Sequence, residues 1–210
     1  MIKKYAVIPI RAKSKRFPDK NIQMTYGYPL FYFQLHALKK SRKFTDVIVS
    51  SDSDSYLALA KFYGATTHKR SQKSSADEAS SEAVISEIIV DFNLEDDDWL
   101  FLCQATSPFN KPKYIENACR LIDGKNINSV MTRIETKRFD TDEILQGKRV
   151  REQERDPKYL ETGLFWATNV KEFNRVGSRV IEPVGFVDID KNNDFDIDCK
   201  EDYLFVRSRL

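Results

Sequence analysis

Five cations crowd into ten positions near the start of the chain: Arg11, Lys13, Lys15, Arg16 and Lys20. Phosphate groups are the natural partner of such a cluster, because guanidinium forks bind them bidentately and ammonium groups act as point charges. The opposite charge gathers near the other end. Residues 187–203 hold Asp188, Asp190, Asp194, Asp196, Asp198 and Asp202. Two pairs, Asp188/Asp190 and Asp196/Asp198, stand at i, i+2, which in an extended segment points both side chains the same way. Like charges on one side repel unless a cation sits between them. Mg2+ takes few protein carboxylates plus phosphate oxygens and water, so a pair of this kind suits a metal–triphosphate complex. The segment lacks the Gly and terminal Glu of an EF-hand loop, which argues against calcium storage. Charge alone leaves a solvated basic loop as an equal reading of the first cluster. Spacing alone does not choose between the two Asp pairs.

The elements that must carry these groups are legible in the hydrophobic pattern. Residues 5–10 are apolar toward both faces and read as a buried parallel strand. A cationic loop after such a strand sits where α/β sheets bind polyanions, at the carboxyl ends of the strands. Gly27-Tyr28-Pro29-Leu30 reads as a turn launching a helix over 30–40. Residues 47–50 read as a second strand, then a helix over 55–63 behind the caps of Ser51-Asp52-Ser53-Asp54. Capping is the simple reading of Asp52 and Asp54, and the stronger one for Asp54. Gly64-Ala65 reads as a helix C-cap before a short strand. Ser80 and Ser81 are placed to cap a helix over 81–92, with Ala83, Val84, Ile85, Ile88, Ile89 and Val90 inward. Residues 99–103 read as a third buried strand, 113–123 as a helix, 129–132 as a strand, 159–167 as a returning strand and 178–181 as another strand. A short helical turn is expected over 169–173. Residues 134–158 are dense in charge and read as an excursion from the sheet, with a β-arm around 143–150.

A chain of 210 residues suffices for one substantial α/β domain. Its hydrophobic content of 41% and charged content of 31% mark a globular, well-solvated protein. With 34 basic against 32 acidic residues the net charge is +2, which gives no general case for nucleic acid or an anionic membrane. Cys103, Cys119 and Cys199 are widely spaced and odd in number, so neither a disulfide framework nor a cysteine metal site is indicated, and a reducing cytoplasm fits. No apolar run approaches the length of a membrane span. His36 and His68 are isolated, and no Ser/His or Cys/His constellation stands out.

The pattern Ile8-Pro9-x-Arg11-x-x-Ser14-Lys15-x-x-Pro18-x-Lys20-Asn21 resembles the nucleotide-binding signature of the acylneuraminate cytidylyltransferase family, the CMP-sialic acid synthetases and their relatives. Three further segments fit in order. Gln104-Ala105-Thr106-Ser107-Pro108-Phe109-Asn110 resembles the family's Gln-Pro-Thr-Ser-Pro-Leu-Arg. Tyr159-Leu160-Glu161-Thr162-Gly163 resembles its Tyr-x-x-Asn-Gly. Asp196-Ile197-Asp198 resembles its closing Asp-Ile-Asp. The chain departs from the pattern at Lys13 (Gly in the family), Ala105 (Pro), Asn110 (Arg) and Thr162 (Asn).

The resemblance implies a Rossmann-like three-layer α/β/α sandwich of the nucleotide-diphosphosugar transferase type, mostly parallel, with a small β-arm. It implies transfer of CMP from CTP to an acidic sugar, with release of pyrophosphate. Arg11, Lys15 and Lys20 would hold the triphosphate. Ser14, Asn21, Arg70 and Ser80 would complete the nucleotide site, and Gln104, Thr106 and Ser107 would meet the substrate. Asp196 and Asp198 would hold Mg2+, with Asp202 left as a charge at a helix N-terminus. Residues 134–158 would form a dimerisation arm within the single domain 1–210 of a cytoplasmic homodimer. The departures keep two alternatives open: a catalytically inert CTP-binding protein on the same fold, and a cytidylyltransferase for a non-sugar acid such as a phosphonate.

Overall fold

The computed structural model describes residues 2–12, 14, 16–75, 80–138, 141–147 and 150–210, and of Lys73 only the backbone. The apolar run after Lys3 forms β1 (Lys4–Pro9). After the basic loop, two-residue strands β2 (Met24–Thr25) and β3 (Tyr28–Pro29) make a tight hairpin into α1 (Leu30–Ser41). Then follow β4 (Asp46–Ser51), α2 (Asp54–Phe62), β5 (Thr66–Lys69), the short α3 (Gln72–Ser75) and α4 (Ser81–Asp91). Next come β6 (Trp99–Cys103), α5 (Pro112–Gly124) and β7 (Ser129–Thr136). The chain continues through α6 (Thr141–Leu145), β8 (Lys158–Asn169), α7 (Val170–Val176) and β9 (Val184–Asp188), and closes with α8 (Lys200–Arg207).

Seven strands form one sheet in the order β5-β4-β1-β6-β8-β7-β9. β1 pairs parallel with β4 and β6, while β8 runs antiparallel to both of its neighbours. β9 runs parallel to β7. Side chains alternate across the sheet as strand geometry requires. Ala6, Ile8, Phe101 and Cys103 pack on one face against Phe31, Leu35 and Leu38 of α1 and Ile115 of α5. Val7, Leu100 and Leu102 pack on the other against Val84, Ile85 and Ile88 of α4 and Phe173 of α7. Each large side chain buried this way contributes about 1.5–3 kcal/mol by leaving water. The three layers expected from the sequence are therefore present.

Some local expectations need correction. No strand forms over 178–181; the strand at this edge of the sheet is β9, at Val184–Asp188. Its Gly185 weakens the strand signal, yet a Cβ there would lie 2.8 Å from Ile127 Cδ1, so close packing demands the glycine. The arm expected as β around 143–150 is helical at Thr141–Leu145, where Asp142 and Glu143 suit a helix N-terminus. β-pairing lies at its base, joining Arg133–Thr136 to Lys158–Glu161. Val90 is 70% exposed, so α4 buries a narrower stripe than the six residues expected.

His68 bridges Ser50 Oγ at 2.9 Å and Asp91 Oδ2 at 2.8 Å. The arrangement imitates a catalytic triad, but Ser50 is fully buried. It ties β4, β5 and α4 together. Among the described residues, no helix is long and apolar enough to cross a membrane.

Candidate active site

Three of the loops that leave the carboxyl ends of the parallel strands converge on one cleft of about 270 Å3. The loop after β1 supplies Arg11, Lys20 and Asn21, the segment after β5 supplies Arg70, and the turn after β6 supplies Gln104, Ala105 and Thr106. Ser80, Ser81 and Val84 close the wall from the start of α4. Seven of the twelve residues singled out in the sequence meet here: Arg11, Lys20, Asn21, Arg70, Ser80, Gln104 and Thr106. Lys15, like Lys13, lies outside the described residues. Ser14 is half-buried in the same loop but does not line the cleft.

The two charged ends of the chain touch. Arg16 donates to both oxygens of Asp198, at 3.0 and 2.9 Å. Lys20 Nζ donates to the Ile197 carbonyl at 2.7 Å and to Asp198 Oδ1 at 3.3 Å. Beneath this contact, Phe17 and Leu30 pack with Ile197, Tyr203 and Val206. Ile197 N donates to the Thr106 carbonyl at 3.0 Å, fastening the acidic segment to the β6 turn. Asp196 is exposed, Ile197 fully buried and Asp198 half-exposed, so the anchoring residue separates two outward carboxylates. Neither carboxylate lines the cleft itself; Lys20, which does, links Asp198 to it.

Asp188, Asp190 and Asp202 have structural partners. Asp188 pairs with Arg133 at 2.7 Å, and Asp190 caps a 3-10 turn by accepting from Asn192 N at 2.8 Å. Asp202 accepts from the backbone of Asp198 and Cys199, each at 2.9 Å, which is the helix-end role expected of it. Asp196 and Asp198 offer hard oxygen donors beside the cationic loop, the donor chemistry Mg2+ takes alongside phosphate oxygens. Among the described residues no group of three or more His, Cys, Asp or Glu is placed to hold a metal by itself. The two carboxylates alone are too few to enclose a metal, and both oxygens of Asp198 already accept from Arg16.

Burial holds the Arg70 guanidinium below its usual range, with the charges of Asp52 and Glu87 opposing that effect. Its Nη2 donates to the Ser74 carbonyl, while its buried Nε has no partner among the described residues. Ser80 does two things: its side chain accepts from Ala83 N at 3.3 Å as the N-cap of α4, and it lines the cleft. Asn21 is 6% exposed and donates to the Arg11 carbonyl at 3.2 Å, closing the basic loop on itself.

The turn after β6 carries polar atoms that are buried without partners among the described residues: Gln104 Oε1, Ser107 Oγ and both amide atoms of Asn110. Thr162 is spent elsewhere, donating to Thr132 Oγ1 at 2.7 Å inside the sheet. Gly163, a position that matches the family pattern, has a physical reason that only the structure supplies. A Cβ there would stand 2.4 Å from Gln104 Oε1 and 3.0 Å from Ser107 Oγ. Gly163→Ala is therefore expected to cost about 1–3 kcal/mol in stability by overpacking. It is also expected to displace the Gln104 side chain at the cleft; a thermal melt and a structure of the variant check the two effects.

Residues 5–202 match the family model described as cytidylyltransferase. An N-acylneuraminate cytidylyltransferase of Streptococcus agalactiae serotype III is 26% identical over 223 residues, covering 100% of this chain and 54% of the relative. The chain thus spans about half the length of that relative. A CMP-N,N'-diacetyllegionaminic acid synthase of Legionella pneumophila is 35% identical over 130 residues, covering 60% of this chain and 56% of the relative. Among solved structures, CMP:2-keto-3-deoxy-manno-octonic acid synthetase complexed with CTP superposes with a TM-score of 0.74 at 15% identity, covering 99% of this chain and 98% of that one. A cytidylyltransferase from Leptospira borgpetersenii gives 0.68 at 15% identity, covering 99% and 86%. The cleft at the strand ends, the basic loop that walls it and a match over nearly the whole length lead to one conclusion: this chain belongs to the cytidylyltransferase family.

Proposed function

We propose that this protein transfers CMP from CTP to the hydroxyl of an acidic sugar of the sialic acid or related nonulosonic acid class. The observation that carries the reading is the meeting of Lys20, from the basic loop, with Asp198, from the acidic end, at the rim of a cleft that also holds Arg11 and Arg70. Cations on two walls suit a triphosphate, and polar groups on the third suit a base, ribose and hydroxylated acceptor. The named relatives, which activate acids as CMP derivatives, support this substrate class.

In this reading Arg11, Lys20 and Arg70 bind and orient the triphosphate, and Lys15 joins them. The acceptor oxygen forms a bond to the α-phosphorus, the bond from that phosphorus to the bridging oxygen breaks, and pyrophosphate leaves. The acceptor's hydroxyl proton goes to solvent. Catalysis of this kind is chiefly positioning and charge stabilisation, so it requires no nucleophilic side chain. Asp196 and Asp198 would hold Mg2+, which supplies neutralisation of phosphate charge when bound. The same reading takes residues 134–158 as a contact between two copies, supported by the exposed Ile144, Leu145 and Val150.

The neutral Asn110 and the inward Thr162 favour, as a second reading, an acceptor other than the usual sugar acid. Incubation with CTP, Mg2+ and a panel of nonulosonic acids and phosphonates, followed by pyrophosphate release, separates the cases. Release that depends on a nonulosonic acid is expected. Release with a phosphonate alone would establish the second reading. CTP binding with no release from any acid would overturn the enzymatic proposal.

A further inference from the structure

The basic loop is held by residues that no phosphate-binding role explains. Its first turn is pinned where Ala12 N donates to Asp52 Oδ1 at 2.9 Å. Its far end is pinned where the Tyr56 hydroxyl donates to Asp19 Oδ1 at 2.6 Å. Asp19 has φ 53°, a left-handed conformation that a non-glycine residue keeps only when its surroundings enforce it. Both anchors come from one place, the end of β4 and the first turns of α2. That place is itself firm. Ser53 caps α2 by accepting from Tyr56 N at 3.4 Å, and Tyr56 is 4% exposed. Lys69 Nζ donates to the Asp52 carbonyl at 3.0 Å. Burial, reinforced by the bond to Asp19, keeps the Tyr56 phenol above its usual range, so it remains a donor at neutral pH. Asp52 also acts on the opposite wall, where its charge favours the ionised form of the buried Arg70.

We propose that Asp52 and Tyr56 are positioning residues that clasp the two ends of the basic loop, so that Arg11 and Lys20 face the cleft before any nucleotide arrives. The proposal rests on the reading of the cleft as a triphosphate site. Its physical content is preorganisation: a loop already ordered loses less freedom on binding, and the saving appears as affinity. A capping role alone would make Asp52 matter for α2. The contact with Ala12 makes it matter for the loop.

The test compares Asp52→Ala, Asp52→Asn and Tyr56→Phe in the full chain. Asp52→Ala removes the acceptor for Ala12 N, whereas Asp52→Asn keeps an oxygen in place. The clasp predicts that Asp52→Ala weakens CTP binding in Mg2+ by about ten- to a hundredfold, the scale of a hydrogen bond to a charged group. Asp52→Asn is expected to restore most of that loss, and Tyr56→Phe to weaken binding by about three- to tenfold. Amide exchange of Ala12 and of residues 16–21 should quicken in Asp52→Ala and Tyr56→Phe, with little change in melting temperature. Wild-type loop exchange and CTP affinity in both variants would overturn the proposal. So would a fall in melting temperature with loop exchange unchanged. Should Asp52→Ala fail to fold, Tyr56→Phe carries the same decision. Should the wild-type protein bind no CTP, the functional reading falls, and loop exchange alone decides whether the clasp exists.

Discussion

Lys20→Ala is expected to lower kcat/KM for CTP by about 10²–10³-fold, the usual scale for removing one preorganised charged donor from a reacting centre. The side chain is only 16% exposed, and its ammonium stands between the Ile197 carbonyl, Asp198 and the cleft. Its substitution therefore removes a cation from the proposed triphosphate site and loosens the seam between the basic loop and the acidic segment. The seam itself should survive, because Arg16 still holds both oxygens of Asp198 and Phe17, Ile197 and Tyr203 still pack beneath it. The melting temperature is accordingly expected to fall by no more than a few degrees. Lys20→Arg should recover only part of the rate, because a planar fork cannot reproduce a compact ammonium that bonds one carbonyl and one carboxylate. Steady-state pyrophosphate release and a thermal melt measure the two effects separately.

Asp198→Ala is expected to reduce turnover by a comparable factor, about 10²–10³-fold, but with a different signature. Without Asp198 the guanidinium of Arg16 and the ammonium of Lys20 lose their carboxylate partner. The cleft becomes more cationic, so CTP binding in the absence of Mg2+ should hold or tighten. Turnover should still collapse, and the Mg2+ concentration needed for half-maximal rate should rise. Asp188→Ala makes the control: that carboxylate is paired with Arg133 at the sheet edge, and its removal should leave the Mg2+ requirement unchanged. Calorimetric CTP titration with and without Mg2+, beside a rate titration in Mg2+, distinguishes these outcomes.

How much of this was readable beforehand varied with how local the signal was. β1, β4 and β6 are buried on both faces, so their apolar runs marked them almost to the residue. The cations at Arg11 and Lys20 were legible because they follow such a strand directly. Arg70 and Ser80 were harder, since surface arginines and capping serines are common; only the topology brings them to the same wall. The role of Asp52 was hidden, because its partner Ala12 lies 40 positions away and the local sequence reads as a helix cap. β9 escaped because Gly185 and the aspartates around it look like a loop, and its pairing with β7 is a long-range contact. The arm was misread as strand because a charged, poorly periodic segment carries no strong local preference. Gly163 was legible only as part of a family pattern; the physical reason for it, the closeness of Gln104 from a different strand end, was not.

A structure of the protein with CTP and Mg2+ bound measures the central claim most directly. The account predicts the triphosphate in the cleft at the end of β1, within hydrogen-bonding distance of Arg11 and Lys20, with the metal contacting Asp196 or Asp198. A triphosphate bound elsewhere, or one in the cleft with the metal remote from both carboxylates, would contradict it.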